Sequence, residues 1–369
     1  MITDSTKVLQ VLYSGLGGHG SVVTSLIMAD KKREWEHDLL FFGVEDLLPA
    51  YRLFAEQQQV PYTFVKKQAG SIRDGWGKVK EYLAQSAPDV VILHSPVLVI
   101  PAWQYCRKHK KKLIVVEHTP HEVKSKPETA GSFLSLLVAD KIVCLSEEYR
   151  QGLRKQFPFL PVIRKSVVIP NGIDLESYRP VEKSDSPVIH AGMIGRFSHQ
   201  KNQALIVQAA AQLVAEGGPA IHYHFAGTGE NLSEVQALVK KMGLDTQVHF
   251  HGLLDEQGIK DLLVRLDIYI HASFAETMCT SVMQAMACGL PVLASNIPGI
   301  NNITIAGDNA LLFANNDIQD FLLKLTSLSE KPVREQMGVA AREYAKIHFS
   351  AIETFREYAS LCNMPKRNY

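Results

Sequence analysis

The sequence predicts an α/β protein made of two doubly wound domains, each with a parallel sheet covered by helices on both faces. Three observations support this prediction. The chain has 369 residues, too many for one ordinary hydrophobic core. Short apolar runs alternate with longer amphipathic segments along most of its length. These runs are continuous in Val, Ile and Leu rather than alternating with polar residues, as is typical of buried parallel strands.

The first series of elements begins at the N-terminus. "KVLQVLYS" predicts a buried strand, "GLGGHGS" a turn and "VVTSLIMAD" a helix. Further strands are expected in "DLLFFGV", "YTFVKK", "DVVILHS", "KLIVVEH", "KIVCLS" and "SVVIP". Residues 170–187, "PNGIDLESYRPVEKSDSP", are rich in Pro, Asp, Ser and charge, and they predict the connection between the domains.

The second series predicts strands in "VIHAGMIG", "IHYHFAG", "VHFHGLL", "IYIHAS", "PVLASN" and "ALLF". From about residue 317 onward the chain is predicted to be helical. A cleft between two such domains is the expected place for a ligand.

The composition argues against several classes of function. The formal net charge is +1, so no overall field favours nucleic acid. The N-terminal "MITDSTKVLQVLYS" lacks the pattern of a secretion signal, and no apolar run is long enough to span a bilayer. The five cysteines are few, odd in number and scattered, which indicates reduced thiols. We therefore expect a cytoplasmic protein without a nucleic-acid partner.

The segment "FAETMCTSVMQAMACGLPVLAS" contains the most informative pattern. Residues 280–288 are predicted to form a short helix between two strands, with Gly289 as its left-handed terminator. Thr277 or Thr280 is expected to cap its N-terminus. The free N–H groups and the positive dipole end of such a helix form an anion site.

Two side chains of this segment are candidates for ligand contact. Glu276 lies at the carboxyl edge of the preceding strand, where open α/β sheets bind ligands. Gln284 lies in the first turns of the helix, so both side chains can face one ligand. Spacing alone also allows an acidic loop residue and a solvated glutamine.

A second pattern, "IGRFSHQKNQALIVQAAAQL", places two cations after a strand. Arg196 and Lys201 precede a long helix that is expected to begin near Asn202. Such a pair can bind a diphosphate, Arg through its planar fork and Lys as a point charge. Taken alone, the segment also fits two solvated loop cations.

A third pattern is the glycine-rich turn "YSGLGGHGSVV" after the first strand. Its glycines allow close approach of the backbone to a ligand, and His19 within it is either functional or part of the turn. The spacing differs from the dinucleotide-binding G-x-G-x-x-G, so this turn is a weak signal by itself.

Together these segments resemble the retaining, nucleotide-sugar-dependent glycosyltransferases of family 4, which have the GT-B fold. The resemblance extends over nearly the whole chain and rests on "GLGGHGS", "VEHTPH", "VIPNGIDLESYRP", "IGRFSHQKN", "FAGTGE" and "FAETMCTSVMQAMACGLPVLAS". It implies a first domain of residues 1–175, a linker of 176–187, a nucleotide-sugar-binding domain of 188–345, and C-terminal helices returning to the first domain, residues 346–369.

The resemblance also implies a role for each matching residue. Glu276 would hold hydroxyls of the donor sugar, and Arg196 and Lys201 the donor diphosphate. His118, in "VVEHTPH", would lie near the reacting carbon. The remaining donor-binding positions are Gly17 and Gly18 of the first turn, the base-binding segment Gly252, Leu253 and Leu254, and the backbone of Met278, Cys279 and Thr280.

One position departs from the family pattern. Gln284 stands where the family has a second Glu that accepts hydrogen bonds from the ribose hydroxyls. A glutamine carbonyl still accepts such a bond. Replacing a charge-assisted bond by a neutral one should weaken donor binding by about 1 kcal/mol.

The expected function is a retaining hexosyltransferase in cell-envelope polysaccharide or lipopolysaccharide assembly. Its donor would be a UDP- or GDP-linked sugar and its acceptor a carbohydrate or lipid-linked hydroxyl, with no other cofactor. No Asp-x-Asp occurs, so no metal is expected at the diphosphate. Alternatives are a nucleotide-sugar epimerase of the same fold and a non-catalytic nucleotide-sugar-binding protein.

Two further patterns have simple interpretations. The histidine pairs in "HYH" and "HFH" could bind a metal if neighbouring, but strand histidines at this spacing are usually packed or solvated. The basic run "RKHKKK", residues 107–112, is expected to be a solvated loop, with peripheral contact to anionic lipid as the alternative.

Overall fold

The computed structural model describes residues 5–15, 17–71, 73–183 and 186–364. Their contacts divide the chain into two units, Met1–Gly172 with Ala351–Tyr369, and Ile173–Ser350. Among the described residues, no helix is both long and apolar enough to cross a membrane.

The first unit contains a parallel sheet of seven strands within the described part of the chain, in the order β3-β2-β1-β4-β5-β6-β7. The strands are β1 Thr6–Tyr13, β2 Trp35–Gly43, β3 Tyr62–Lys66, β4 Val90–Leu93, β5 Lys112–Glu117, β6 Lys141–Cys144 and β7 Ser166–Val168. The helices are α1 Gly18–Ala29, α2 Pro49–Gln57, α3 Trp76–Ser86, α4 Val99–Lys108, α5 Lys126–Val138, α6 Glu147–Gln156 and α7 Val162–Lys165.

The second unit has a parallel sheet of six described strands, in the order β10-β9-β8-β11-β12-β13. These are β8 Ile189–Ile194, β9 Ile221–Ala226, β10 Val248–Phe250, β11 Ile268–His271, β12 Val292–Ser295 and β13 Ala310–Phe313. Its helices are α8 Gln203–Ala215, α9 Leu232–Lys241, α10 Glu256–Leu263, α11 Thr280–Ala287, α12 Pro298–Asn301, α13 Ile318–Leu328 and α14 Lys331–His348. The last helix, α15 Ala351–Asn363, belongs to the first unit.

Each sheet is buried on both faces, which explains the continuous apolar runs. On β1, Val11 packs into the hydrophobic cluster on one face and Leu12 into the cluster on the other. On β11, Ile268 and Ile270 face one core while Tyr269 faces the second. Successive strand side chains point to opposite faces, so a strand covered on both sides needs apolar residues at every position.

The return of the chain to the first unit is made by α15. Its Phe355 packs against Trp35 of β2, with ring centroids 4.8 Å apart. The buried Lys112, last residue of the basic run, donates from Nζ to the Leu361 carbonyl at 3.2 Å and also to the Cys362 and Met364 carbonyls. A lysine at a helix C-terminus satisfies carbonyls that have no intrahelical partner. The expectation that the whole basic run is a solvated loop was therefore wrong at this residue.

The connecting stretch 170–187 is partly core. Ile173 and Tyr178 are 1% and 3% exposed and pack in the second unit. Arg342 of α14 donates from Nη1 to the Tyr178 carbonyl at 2.8 Å. The predicted linker 176–187 is therefore anchored at its beginning, while residues 184 and 185 lie outside the described residues.

Candidate functional site

The carboxyl edge of the second sheet brings together two motifs that are distant in sequence. β8 and β11 are parallel neighbours, so the loops after them begin side by side. The first loop docks on the second: the Asn202 amide donates to the Ala272 carbonyl at 3.0 Å, and the Phe274 amide donates to the Gln200 carbonyl at 2.8 Å. Lys201, between the two docked positions, is thereby placed beside Glu276.

Four side chains meet at this point. Lys201 Nζ forms an ion pair with Glu276 Oε1. His271 Nε2 lies 2.8 Å from the same carboxylate oxygen and 3.3 Å from Lys201 Nζ. Cys279 Sγ lies 3.3 Å from His271 Nε2. His271 is fully buried, whereas the Lys201 and Glu276 side chains are 18% and 13% exposed, so the pair remains open to a ligand.

The electrostatics of this cluster keep the acid ionised. Burial alone would raise the pKa of Glu276, but the Lys201 charge and the His271 hydrogen bond outweigh it and lower that pKa. Burial would lower the pKa of Lys201, yet the Glu276 charge raises it. The pKa of His271 is also raised, because Cys279 and Glu276 outweigh burial and the Lys201 charge. An anionic carboxylate and a cationic amine therefore persist at neutral pH.

The same cluster contains a geometric metal-ligand set. Ligand atoms of His271, Glu276 and Cys279 lie within 4.8 Å of one another. Lys201 contacts two of these three groups. The Lys201 ammonium already neutralises the Glu276 carboxylate, so the cluster has little negative charge left to attract a cation. It fits the binding of an anionic ligand beside Lys201 better than the binding of a metal ion.

The helix α11 begins beside this cluster. Its N-cap residue is Cys279, whose side chain makes no capping hydrogen bond. The prediction that Thr277 or Thr280 caps the helix was wrong. At the other end Gly289 has φ +73°, and the Leu290 amide donates to the Ala285 carbonyl at 3.0 Å, which confirms the predicted left-handed terminator.

Gln284 is not a solvated residue. It is 5% exposed, and its Nε2 donates to the Tyr178 hydroxyl at 2.9 Å. The alternative that treats it as solvated is wrong. The residue at the position of the family's second Glu thus fixes a buried phenol from the connecting stretch.

Glycines hold the loop that contains Arg196. Gly227 and Gly229, in "FAGTGE", have φ of +134° and +155°. A Cβ on them would lie 2.0 Å from the Gly195 carbonyl oxygen and 2.2 Å from the Phe197 carbonyl oxygen. The motif therefore packs its backbone directly against the two residues that flank Arg196.

The predicted base-binding loop lies beside this turn. The Gly252 carbonyl accepts from the Gly227 amide at 2.7 Å, and Gly252 has φ +64°. Leu253 is 42% exposed, while Leu254 packs partly into the core. Three predicted segments, around positions 196, 227 and 252, thus follow the neighbouring strands β8, β9 and β10.

The first unit has its own pocket, with a volume of about 530 Å³. His118 follows β5, and its Nε2 lies 2.9 Å from His94 Nδ1. His94 Nε2 in turn lies 2.7 Å from the Gln10 side-chain oxygen. The lining includes Tyr13, His19, Lys67, His94, His118 and Glu128.

Two histidines of this pocket, His94 and His118, are held neutral. Burial, followed by the nearby His19, lowers the pKa of His118 to about 3. Burial also lowers the pKa of His94. The Gln10 side-chain oxygen can only accept, so His94 donates to it from Nε2. The Nδ1 of neutral His94 then accepts a hydrogen bond from His118, which places the proton of His118 on Nε2.

Sequence reasoning missed His94, Gln10 and His271. A histidine lies near the end of each of two apolar runs, His94 in "DVVILHS" and His271 in "IYIHAS", and a polar residue at a buried strand end was the available signal. The predicted glycines Gly17 and Gly18 lie at the start of α1, with Gly17 as the N-cap, while Leu16 lies outside the described residues.

Family models match both units. Residues 175–344 match the model described as Glycosyl transferases group 1, and residues 16–177 match the one described as Glycosyltransferase Family 4. The chain therefore belongs to the group 1, family 4 glycosyltransferases, as its motifs predicted. It is a glycosyltransferase.

Known proteins agree with this assignment. The chain is 26% identical over 297 residues to the putative glycosyltransferase EpsD of Bacillus subtilis, covering 74% of this chain and 76% of that protein. It is 27% identical over 214 residues to UDP-Gal:alpha-D-GlcNAc-diphosphoundecaprenol alpha-1,3-galactosyltransferase of Escherichia coli, covering 55% and 54%. The crystal structure of Anabaena Alr3699/HepE in complex with UDP and glucose superposes with a TM-score of 0.82 at 18% identity, over 97% of this chain and 100% of that chain. The predicted GT-B fold is confirmed.

Proposed function

We propose that this enzyme is a retaining hexosyltransferase that uses a UDP- or GDP-linked sugar and a carbohydrate or lipid-linked acceptor. We place it in the cytoplasm, in assembly of a cell-envelope polysaccharide. The observation that carries the proposal is the Lys201–Glu276 ion pair beside the N-terminus of α11, at the carboxyl edge of the second sheet. Open α/β sheets bind their ligands at this edge.

The donor diphosphate is assigned to the cationic side of this cluster. Arg196, Lys201 and the backbone N–H groups at Met278, Cys279 and Thr280 would neutralise charge on the departing diphosphate. The N-cap residue Cys279 makes no side-chain capping bond to the first N–H groups of α11, which supports this assignment. In this proposal no metal ion takes part in leaving-group departure.

The donor sugar is assigned to Glu276. Its carboxylate stays ionised, so it accepts hydrogen bonds from sugar hydroxyls and stabilises positive charge at the anomeric carbon. His271 and Lys201 hold the carboxylate in place through its shared Oε1. Lys201 would then contact both the carboxylate and a phosphate oxygen when the donor is bound.

The acceptor side is assigned to the pocket of the first unit. Its volume of about 530 Å³ suits a small ligand or part of one. His118 is neutral, and a neutral imidazole near the anomeric carbon adds no repulsion to the developing positive charge. Anabaena Alr3699/HepE binds UDP, and the Escherichia coli relative is named for a diphosphoundecaprenol-linked acceptor. Both support a UDP donor and a lipid-linked acceptor here.

The decisive experiment is turnover with a panel of nucleotide sugars and lipid-linked acceptors, with the anomeric configuration of the product read by NMR. We expect transfer with retention. A product epimerised at a sugar carbon without any acceptor would replace this proposal by the epimerase alternative. Absence of both transfer and slow donor hydrolysis, in protein that binds the donor, would support a non-catalytic binding protein.

A further inference from the structure

One stretch of the first unit, residues 118–128, joins the end of β5 to the first turn of α5. We call it the pocket segment, because five of its residues line the pocket of this unit: His118, Thr119, Ser125, Pro127 and Glu128. Before α5 it contains a single turn of 3-10 helix, His121–Val123. The shape of such a segment depends largely on the side chains that hold it.

A buried ion pair holds the two ends of the pocket segment together. Glu117 is the last residue of β5 and directly precedes the segment, while Lys124 lies within it. Lys124 Nζ is 2.6 Å from Glu117 Oε2, and neither side chain is exposed to solvent. Lys124 Nζ also donates to the Ser132 hydroxyl of α5 at 2.8 Å. One ammonium therefore joins the strand end, the segment and the following helix.

The helix α6 adds a second set of contacts through Tyr149. The Tyr149 hydroxyl lies 2.9 Å from the Thr119 carbonyl oxygen and 3.2 Å from Glu117 Oε2. Burial, followed by the Glu117 charge, raises the pKa of Tyr149, so this hydroxyl stays protonated and donates. The His121 ring stacks on Tyr149 with centroids 4.0 Å apart, and its Nε2 lies 3.0 Å from the Tyr149 carbonyl oxygen. The pocket segment is thus held at positions 119, 121 and 124.

The side chains of Glu117, Lys124 and Tyr149 form what we call the buried network. The described residues that line the pocket do not include these three. His118 and Thr119, which directly follow Glu117, do line it. The buried network therefore acts on a bound ligand only through the pocket segment.

Stability alone does not explain this network. Two charges taken out of water lose hydration, and their attraction compensates for that loss only if their remaining hydrogen-bonding groups are satisfied. Glu117 Oε1 is buried and has no hydrogen-bond partner, so this condition is not met. Well-packed apolar side chains of similar volume are often as stable as a buried ion pair, or more stable.

The network does restrict the conformation of the pocket segment. Moving Lys124 away from Glu117 would leave an uncompensated charge in the interior, which is strongly destabilising. Apolar side chains in the same space would tolerate small shifts, because dispersion contacts have little directionality. The ion pair therefore penalises other arrangements of the residues that face the pocket.

We propose that Glu117 and Lys124 are positioning residues for the acceptor, which hold the pocket segment in the shape that the acceptor needs. This inference rests on the proposed function, in which the pocket of the first unit takes the acceptor. Neither residue is assigned a contact with a reacting atom. Because the proposed donor contacts of Lys201 and Glu276 belong to the second unit, donor binding should not depend on the buried network.

The test replaces the pair by apolar side chains of similar volume in Glu117→Leu/Lys124→Met. We expect a urea midpoint equal to or above that of wild type. A misplacement of about 1 Å can cost about 100-fold in rate, so kcat/KM for the acceptor should fall by about 10- to 100-fold. The Kd of UDP and the rate of donor hydrolysis without acceptor should stay within about twofold. Hydrogen exchange of residues 118–128, followed by mass spectrometry, should be faster than in wild type.

The matched control is Lys112→Met, which removes another buried lysine of the same unit, one that caps α15. It should lower the urea midpoint but leave acceptor kinetics and exchange of the pocket segment unchanged. If the double variant fails to fold, Glu117→Gln keeps the side-chain size and hydrogen bonding but removes the charge. Its kcat/KM for the acceptor should fall by at least about threefold, with the UDP Kd unchanged.

Two results would overturn the proposal in an enzyme that transfers sugar. One is wild-type acceptor kinetics in the folded double variant, or in Glu117→Gln if only that variant folds. The other is an equal loss in donor hydrolysis and in transfer, which would indicate a general structural effect. If wild type transfers sugar to no acceptor, the proposed function fails, and hydrogen exchange decides separately whether the network holds the segment. Unchanged exchange of residues 118–128 would then overturn the inference, and faster exchange would support it.

Discussion

Lys201 and Glu276 are separated by 75 positions in the sequence, and they form an ion pair at the carboxyl edge of the second sheet. The pair exists because the loop after β8 docks on the segment after β11 through backbone hydrogen bonds. Its two members have opposite tasks in the proposed reaction, since the amine faces phosphate and the carboxylate faces the sugar.

Replacing Glu276 by Ala should separate chemistry from nucleotide binding. We expect kcat/KM to fall by about 100- to 1,000-fold, the usual cost of removing one preorganised electrostatic contact. Nucleoside diphosphate alone should still bind, because it carries no sugar. Calorimetry with the diphosphate and single-turnover kinetics with the donor are the two measurements. Near wild-type turnover would show that Glu276 does not contact the reacting sugar.

Gln284→Ala should reduce stability as well as donor affinity. The change removes the hydrogen bond from Gln284 Nε2 to the buried Tyr178 hydroxyl, which should cost about 1–3 kcal/mol. In a double-mutant cycle with Tyr178→Phe, most of this loss should be shared, since both changes remove the same bond. Thermal unfolding by circular dichroism measures the cycle. Fully additive effects would mean that this hydrogen bond contributes nothing to stability.

The role of Gln284 at the ribose needs its own measurement. Because Gln284→Ala removes one neutral hydrogen bond, we expect the binding free energies of the donor and of the nucleoside diphosphate each to weaken by about 1 kcal/mol. Tyr178→Phe is the control, because it breaks the same internal bond but keeps the glutamine. Equal affinities for wild type and Gln284→Ala would remove this residue from the ribose site.

Gly229→Ala should disturb the loop that contains Arg196. A Cβ at this position would lie 2.2 Å from the Phe197 carbonyl oxygen, so the loop backbone has to move. We expect at least a tenfold weaker diphosphate affinity and a lower melting temperature. Gly217→Ala is the matched control: its φ is +69°, so it bears left-handed strain of about 1 kcal/mol, but it meets open space. Equal diphosphate affinity in the two variants would contradict the packing argument.

The neutral histidines of the first unit predict that its stability falls in mild acid. The pKa of His118 is about 3 in the folded protein, compared with about 6.5 for an unfolded histidine. Between these values the unfolded chain binds more protons, so stability is complete above pH 6.5 and decreases as pH falls toward 3. One such group contributes a slope of about 1.4 kcal/mol per pH unit.

The slope is obtained from the urea midpoint of unfolding, which is followed by tryptophan fluorescence at several pH values between 7 and 5. All three tryptophans, Trp35, Trp76 and Trp103, lie in the first unit and report its unfolding. His118→Gln should have a shallower pH dependence than wild type, while His109→Gln, on the surface, should not. Identical slopes for wild type and His118→Gln would show that His118 is not held neutral.

Turnover should continue in the presence of a chelator. In the proposed reaction Lys201, Arg196 and the α11 N-terminus neutralise the diphosphate, so EDTA should leave the initial rate within about twofold. The measurement is made early, at a temperature well below unfolding, so that any loss of stability does not affect the rate. Complete loss of activity that magnesium or manganese restores would contradict this account of the leaving group.

Local chemistry explains which features were predictable from the sequence. Continuous apolar runs predicted strands buried on both faces, and Gly289 and Asn202 marked the end of α11 and the beginning of α8. The Glu276, Arg196 and Lys201 candidates followed from their positions after predicted strands. Each of these inferences depends on residues within a few positions of one another, where backbone sterics and capping act directly.

Only the tertiary structure decided which distant residues meet. β8 lies between β9 and β11, so Lys201 reaches Glu276 and His271, whereas the histidines of β8, β9 and β10 gather on one face. Lys112 became a cap for α15, and Gln284 became a partner of Tyr178, because each is buried against a segment far along the chain. Strand order and crossover packing are set by the free energy of burying whole faces, and no local pattern around any one of these residues encodes it.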